Sequence, residues 1–228
     1  MKDSTAIVIP ARIESTRFPE KMLAKVTNEH CLIQRVEHWC KCVTSHVYVA
    51  TDSKKIANLF PNNHIMTTDT CMNGTERVAE AALKLPFYDK FINVQGDMID
   101  PPISVFEDIE KSLDINNVVT VITAMDDEER NDPNTVKCIH NGFYAHWFCR
   151  APLNYGDWHI GVYGYTKSSL LQYPYLNIAR PELSESLEQL RWYENNFEKI
   201  AITYCVDDEN IGEINTPEDL IKWKEKQK

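Results

Sequence analysis

The sequence lacks several patterns that would each indicate a common type of site or location. Its seven cysteines form no C-x-x-C pair and are odd in number, so neither a zinc site nor a disulfide framework is predicted. No apolar stretch approaches the ~20 residues of a membrane-spanning helix, and the first residues do not resemble a signal peptide. The G-x-x-x-x-G-K-[ST] pattern of a Walker A loop is absent. We therefore expect a cytoplasmic protein in a reducing environment.

An excess of positive charge is also missing, because the 228 residues carry a net charge of -10. Nucleic acids and anionic membranes repel such a chain, so we expect neither as a partner. A site for a polyanionic ligand must then be built locally, from arginines, lysines or a metal ion. The length and the 43% of hydrophobic residues are typical of one globular domain, which we expect to span residues 1–228.

Apolar runs alternate with segments of helical periodicity in the first half of the chain. The runs predict strands at 6–10, 46–50, 64–68, 91–94 and 117–124. The periodic segments predict helices at 32–43, 53–59, 75–85 and 101–113. This alternation is typical of an α/β fold with a mostly parallel sheet, in which ligands bind at the carboxyl ends of strands.

The second half of the chain predicts a different arrangement. A hairpin is expected around Asn141-Gly142, with strands at 136–140 and 143–149. Further strands are predicted at 159–165 and 200–206, and helices at 183–193 and 217–226. We expect residues 126–165 to form a β-rich excursion that covers the site or forms a dimer face.

A cationic loop follows the first predicted strand. Residues 9–21 read Ile-Pro-Ala-Arg-Ile-Glu-Ser-Thr-Arg-Phe-Pro-Glu-Lys, and they contain three cations and two hydroxyl groups within one loop. Backbone N–H groups at a strand end and clustered cations suit a triphosphate. A solvated basic loop is the alternative interpretation.

Two further motifs follow predicted strands or open a helix. Asn73-Gly74-Thr75-Glu76-Arg77 begins the helix at 75–85, where it suits recognition of a base, a ribose or an anion, or serves only as an ordinary helix start. Asn93-Val94-Gln95-Gly96-Asp97 ends a buried strand, where the carboxylate of Asp97 suits Mg²⁺ or simply completes a turn.

Three motifs lie in the second half. His159 and Tyr163 share one face of a predicted strand, although a single histidine is more often structural. The segment Leu187-Glu188-Gln189-Leu190-Arg191 reads on its own as part of an amphipathic surface helix. Asn215-Thr216-Pro217-Glu218-Asp219-Leu220 is a typical helix start, with Thr216 as the cap.

These segments, in this order, resemble the cytidylyltransferases that activate acidic sugars, most closely the 3-deoxy-manno-octulosonate (Kdo) cytidylyltransferase family. The resemblance covers nearly the whole chain. It implies a Rossmann-like, three-layer nucleotidyltransferase fold of the GT-A type and a homodimer. The reaction it implies converts CTP and an acidic sugar into a CMP-sugar and pyrophosphate, with Mg²⁺ as the cofactor.

The resemblance also implies roles for individual residues. The residues implied to bind the nucleotide are Pro10, Ala11, Arg12, Ser15, Thr16, Arg17, Lys21, Asn73, Gly74 and Arg77. Those implied to bind the sugar acid are Gln95, His159, Tyr163, Glu188 and Gln189. The implied metal ligands are Asp97 and Asn215, and the implied catalytic residues are Arg12, Arg17, Lys21 and Asp97.

The chain departs from the family pattern at several of these places. The family has Asp as a second metal ligand where this chain has Asn215, so Glu213 or Asp219 is a candidate to compensate. The family usually has Ser where this chain has Asn73. It often has Arg where this chain has Trp158, and a basic residue where this chain has Thr166. Three alternatives therefore stay open: a cytidylyltransferase for another acid (an amino sugar, a sialic-acid-like sugar or a phosphonate), a nucleotide-binding protein without catalysis, and an unrelated α/β binding protein.

Overall fold

The computed structural model describes residues 1–15, 17–206 and 212–227. The strands are β1 (Thr5–Ala11), β2 (Val47–Thr51), β3 (His64–Met66), β4 (Lys90–Val94), β5 (Met98–Asp100), β6 (Val118–Thr123), β7 (Lys137–His140), β8 (Ala145–Cys149), β9 (Asp157–Thr166), β10 (Ile200–Tyr204) and β11 (Gly212–Glu213). The helices are α1 (Leu32–Lys41), α2 (Lys54–Ala57), α3 (Gly74–Leu83), α4 (Phe106–Ser112), α5 (Asp127–Asn131), α6 (Lys167–Gln172), α7 (Arg180–Glu185), α8 (Leu190–Glu194) and α9 (Pro217–Lys226). Among the described residues, no helix is long and apolar enough to cross a membrane.

The central sheet has the strand order β10-β6-β9-β4-β1-β2-β3. Strands β4, β1, β2 and β3 pair in parallel, as do β6 and β10. Strand β9 runs antiparallel to both of its neighbours, β4 and β6. The carboxyl ends of β1, β4 and β6 therefore lie at one edge, and the first half of β9 starts from that same edge.

Strand β1 is buried on both faces, and its side chains divide between two apolar cores. Ile7 and Ile9 pack with α1 and α4 on one face of the sheet. Ala6 and Val8 pack with α3, α6 and α8 on the other face. A strand that is covered on both faces reads as a continuous apolar run, which is why the sequence predicted it.

The predicted hairpin is confirmed, with a shorter second strand. Gly142 adopts a φ of 91°, which glycine reaches without strain. The Asn141 side chain accepts hydrogen bonds from the backbone N–H groups of Phe143 and Tyr144, so the turn extends to residue 144 and β8 begins at Ala145. The function of the 126–165 segment as a lid or dimer face stays a prediction.

The predicted helix at 183–193 is wrong. Two short helices, α7 and α8, replace it, and Ser186 between them has a φ of 54°, in the left-handed region. This conformation ends a helix. The interruption turns Glu188 and Gln189 out of the helical path and towards the edge of the sheet where β1 and β4 end.

A two-stranded ribbon of β5 and β11 was not predicted, because each strand is too short to show a period. Glu213 pairs with Met98, and the backbone N–H of Ile214 donates to the carbonyl oxygen of Asp97 at 2.9 Å. Helix α9 follows this ribbon. Its Trp223 donates an indole N–H to Asp100, which ties the C-terminal segment to β5.

Candidate active site

An open cavity of about 830 Å³ lies where β1 and β4 end. The loop after β1 and the start of α3 form one side. The first half of β9, the turn between α7 and α8, and the residues around β11 line the rest of the cavity. The sequence motifs therefore converge on a single space.

Every predicted site residue that the structure describes lines this cavity. They are Pro10, Ala11, Arg12, Ser15, Arg17, Lys21, Asn73, Gly74, Arg77, Gln95, Asp97, His159, Tyr163, Glu188, Gln189 and Asn215. Thr16 was also predicted and lies outside the described residues. The roles of these residues stay predictions, whereas their common location is a structural fact.

Gly96 lets the loop after β4 approach the end of β1. A Cβ atom at Gly96 would lie only 2.9 Å from the carbonyl oxygen of Pro10, so a larger residue would push the two loops apart. The close approach brings Asp97 beside Lys21, whose Nζ donates to the Asp97 Oδ2 at 2.7 Å. This ion pair joins the cationic loop to the carboxylate at the end of β4.

The two arginines of the loop are exposed in the open part of the cavity. The Arg12 guanidinium makes no hydrogen bond or ion pair with any residue that the structure describes. Arg17 Nη2 donates to the Asn215 Oδ1 at 3.3 Å. The loop therefore presents cationic groups that a polyphosphate would neutralise.

At the start of α3, the predicted nucleotide-binding side chains already have partners within the protein. The Asn73 Oδ1 caps the helix by accepting from the Glu76 N–H at 2.9 Å, and its Nδ2 donates to the Tyr173 hydroxyl at 3.1 Å. Arg77 is 4% exposed and pairs with Asp52 at 2.8 Å. The Asp52 carboxylate therefore compensates the charge of Arg77, whereas Arg12 has no such partner among the described residues.

Glu188 lies under the start of the same helix. Its carboxylate accepts from the backbone N–H of Thr75 at 3.2 Å and from the Thr75 hydroxyl at 3.0 Å. Burial raises the pKa of Glu188, and the hydrogen bonds from Thr75 oppose that shift. The neighbouring Gln189 is 3% exposed, and its Nε2 has no hydrogen-bond partner among the described residues.

The rings of His159 and Tyr163 are in contact, with centroids 5.3 Å apart. The sequence predicted only a shared strand face, and the register shift of β9 between Ile160 and Tyr163 shortens the distance between them. Burial, assisted by the positive charge of Arg150, lowers the pKa of His159 to about 3, so the imidazole is neutral at pH 7. Burial also raises the pKa of Tyr163 well above its usual value, so its phenol stays protonated. This end of the cavity is therefore a wall of neutral hydrogen-bonding groups.

The sequence analysis missed Arg150, which lines the cavity at the end of β8. Its Nε donates to the carbonyl oxygen of Glu185 at 3.0 Å, and its Nη1 donates to the carbonyl oxygens of Pro133 and Asn134 at 3.2 Å. These neutral acceptors hold the guanidinium in place without cancelling its charge. Its position at the end of a predicted strand was the one signal that pointed to it.

Arg191 contradicts the interpretation of its segment as a surface helix. It is 1% exposed, and it pairs with Glu182 at 2.6 Å and with Glu76 at 2.7 Å. Its guanidinium also lies over the Tyr173 ring, 4.4 Å from the centroid. Arg191 therefore links the start of α3 to α7 and α8 beside the cavity.

Glu213 lies close to Asp97 in the cavity. Glu213 is exposed as a whole residue, but its carboxyl group faces the cleft beside Asn215. Burial of that group and the negative charge of Asp97 raise the pKa of Glu213 to about 7. Asn215 Nδ2 donates to the Glu213 Oε2 at 3.3 Å.

The oxygen donors at this end suit a hard divalent cation. Among the described residues, no group of three or more His, Cys, Asp or Glu side chains could hold a metal by itself. Magnesium needs fewer protein ligands, because it keeps several waters and binds one or two carboxylates together with phosphate oxygens. Asp97, Asn215 and Glu213 provide two carboxylates and an amide oxygen, and this set fits Mg²⁺.

Comparison with known proteins identifies the family. Residues 6–202 match the family model described as cytidylyltransferase. The chain belongs to the cytidylyltransferase family. It is 36% identical over 244 aligned residues to 3-deoxy-manno-octulosonate cytidylyltransferase of Francisella tularensis subsp. novicida, and the match covers 95% of each protein.

Two further comparisons agree with this family. The chain is 34% identical over 238 aligned residues to the mitochondrial 3-deoxy-manno-octulosonate cytidylyltransferase of Arabidopsis thaliana, covering 94% of this chain and 80% of that protein. A solved structure of CMP:2-keto-3-deoxy-manno-octonic acid synthetase complexed with CTP superposes with a TM-score of 0.88, at 29% identity, over 99% of this chain and 98% of that one. The predicted Rossmann-like nucleotidyltransferase fold is confirmed, and an unrelated α/β binding protein is excluded.

Proposed function

We propose that this cytidylyltransferase transfers the CMP group of CTP to Kdo or a close analogue, forming a CMP-sugar and pyrophosphate. The relatives at 36% and 34% identity carry that activity in their names. The observation that carries the proposal is the single cavity, in which the cationic loop faces the neutral wall of His159 and Tyr163 across Asp97. A charged triphosphate and a hydroxyl-rich sugar would fit its two ends.

The attacking group belongs to the substrate, namely the anomeric hydroxyl of the sugar. The chain therefore needs no nucleophile of its own, and its task is to align two reactants and neutralise charge. Arg12, Arg17 and Lys21 stabilise the negative charge that develops on the departing pyrophosphate. Arg150 supplies a fixed positive charge at the sugar end, where an acidic substrate brings a carboxylate.

Magnesium belongs to the same proposal. When bound, the ion polarises the α-phosphate and lowers the pKa of the attacking hydroxyl. The Asp97 carboxylate would be the principal ligand, and its ion pair with Lys21 at 2.7 Å supports a cation at this point. Lys21 would bind phosphate oxygens beside it.

A substrate panel tests the proposal. Pyrophosphate release is measured with CTP or UTP against Kdo, an eight-carbon amino-sugar analogue, a sialic acid and a phosphonate, at several Mg²⁺ concentrations. We expect turnover with CTP, little with UTP, and the highest kcat/KM with Kdo. Absence of pyrophosphate release with every acid would overturn the proposal.

A second candidate is a cytidylyltransferase for another acid. Trp158 lines the sugar end of the cavity, where the family often has an arginine. A higher kcat/KM for another acid in the same panel would establish this alternative. CTP binding without turnover would instead establish the alternative of a nucleotide-binding protein that has lost catalysis.

A homodimer and a cytoplasmic location complete the proposal. Phe143 and Tyr155, in the 126–165 segment, are 75% and 59% exposed, and a partner subunit would cover such apolar side chains. Sedimentation equilibrium at micromolar concentration tests this, and a monomer would contradict it. All seven cysteines are free thiols in the structure, and a reducing compartment would preserve that state.

A further inference from the structure

We infer that Glu213 is a direct metal ligand and supplies, beside Asp97, the second carboxylate of the divalent-cation site. The inference rests on the proposed nucleotidyl transfer and names a ligand within that site. Its structural basis is the convergence of Asp97, Glu213 and Asn215 at one end of the cavity.

The backbone fixes Glu213 beside Asp97. Strand β11 pairs with β5, so Glu213 lies opposite Met98, the residue that follows Asp97. The N–H of Ile214 donates to the carbonyl oxygen of Asp97 at 2.9 Å, which locks this register. Glu213 therefore lies on one strand of the ribbon, and Asp97 directly precedes the other strand.

The two carboxylates at this end differ in their partners. Lys21 pairs with Asp97, but Glu213 forms no ion pair with any cation in the part of the chain that the structure describes. Its hydrogen-bond partner is the neutral amide of Asn215, at 3.3 Å. Two carboxylates that share one cleft repel each other, and a divalent cation between them removes that repulsion.

The space in front of Glu213 is open. Its Oε1 faces Gly161 on β9, where a Cβ atom would lie 3.8 Å from that oxygen. Because glycine has no side chain, β9 leaves room for a cation and its waters at this point. Asn215 completes the arrangement, since its amide joins Glu213 to Arg17.

Asp219 is the other carboxylate near Asn215, and its contacts exclude it. Its Oδ2 accepts from the N–H groups of Asn215 at 2.9 Å and Thr216 at 2.7 Å, as part of the capping box of α9. One oxygen of Asp219 is thus committed to the start of α9, and Asp219 does not line the cavity, whereas Glu213 does. Glu213 is therefore the residue that compensates for the neutral amide at position 215.

Binding of Mn²⁺ tests the inference without relying on turnover. Mn²⁺ alone is titrated into the protein, and the free ion is measured from its electron paramagnetic resonance signal. We expect Glu213→Gln to weaken Mn²⁺ binding at least about tenfold, since loss of even an outer partner of a metal ligand costs about 10–100-fold in affinity. The double variant E213Q/N215D, which moves the carboxylate two residues along, should recover most of that affinity.

Glu218→Gln is the matched control. It removes a carboxylate from the same segment, at an exposed position on α9, and should bind Mn²⁺ as the unaltered protein does. Unchanged Mn²⁺ affinity in Glu213→Gln would overturn the inference, as would unaltered protein that binds no Mn²⁺. If Glu213→Gln loses affinity but the unaltered protein turns over no acid, the metal ligand stands and the proposed function fails.

Discussion

The Nε2 atom of His159 lies 2.9 Å from the hydroxyl oxygen of Thr120, inside the wall of the cavity. That hydroxyl donates its own proton to the carbonyl oxygen of Val162 at 3.0 Å. The Nε2 atom must therefore carry the imidazole proton, which leaves Nδ1 as an acceptor. His159 can therefore offer a ligand only an acceptor at Nδ1, and not a positive charge.

The free energy of unfolding should fall at acidic pH, because the folded protein keeps His159 neutral. The pKa of His159 is about 3 in the folded protein and 6.5 for a free histidine, so between these values the unfolded chain binds a proton that the folded protein excludes. Its contribution to stability is complete above pH 6.5 and falls by about 1.4 kcal/mol per pH unit as the pH drops towards 3. Urea denaturation at pH 7, 6 and 5 measures this slope.

The variant His159→Asn separates this residue from the other titrating groups. It has no imidazole to protonate, so its free energy of unfolding should depend less steeply on pH over the same range. Equal slopes for the variant and the unaltered protein would show that His159 is not the group excluded from protonation.

Lys21→Ala should lower kcat by about 10²–10³, because it removes one positioned donor from the charge that develops in the transition state. The binding of Mn²⁺ should not weaken, since the Lys21 ammonium occupies the Asp97 carboxylate at 2.7 Å and competes with the metal. Steady-state kinetics and Mn²⁺ titration together check this. Lys111→Ala, at an exposed position on α4, is the control, and equal turnover in the two variants would refute the role of Lys21.

Arg191→Met should destabilise the protein by about 3–5 kcal/mol, because it leaves buried carboxylates without their cation. Adding Glu182→Gln should restore part of this loss, since the amide carries no charge. Urea denaturation of the single and double variants gives the coupling energy. Arg180→Met, at an exposed position on α7, should change stability by less than about 0.5 kcal/mol; a similar loss at Arg180 would argue against the pairing.

Trp223→Phe should loosen α9. The variant removes the N–H that binds Asp100 but keeps an aromatic ring under the Arg35 guanidinium, which lies 5.7 Å from the centroid of the Trp223 ring. Hydrogen bonds to charged groups contribute about 1.5–3 kcal/mol, so amides of α9 should exchange roughly tenfold faster or more in deuterated water. Trp39→Phe is the control, because it removes another donor to Asp100 that does not belong to α9. In that variant the amides of α9 should exchange much more slowly than in Trp223→Phe.

Much of the cavity could be predicted because its residues sit at points that local chemistry marks. Asp97 follows a continuous apolar run, which marks the end of a strand. Asn73 has a side chain typical of a helix cap, which marks the start of a helix. The carboxyl ends of parallel strands share an edge, and this rule alone brings the two together.

The parts that were missed depend on long-range contacts. The left-handed backbone of Ser186 has no signature, since serine rarely adopts it, and the 183–193 helix was therefore predicted as unbroken. Arg191 has the spacing of a surface residue, and its burial follows only from Glu76, more than a hundred residues away. Strand β11 is two residues long, so no period could reveal that it delivers Glu213 to Asp97.

The place of β9 in the sheet sets an order in which the molecule can assemble. Strands β1 to β4 are made early during synthesis and pair directly with one another, so this half can form as it leaves the ribosome. Strand β6 cannot pair directly with these strands, because β9 lies between β6 and β4 in the sheet. Strand β9 is made about 40 residues after β6. The nascent chain must therefore hold its apolar β6 unpaired until β9 arrives, and this interval is when a chaperone would matter most.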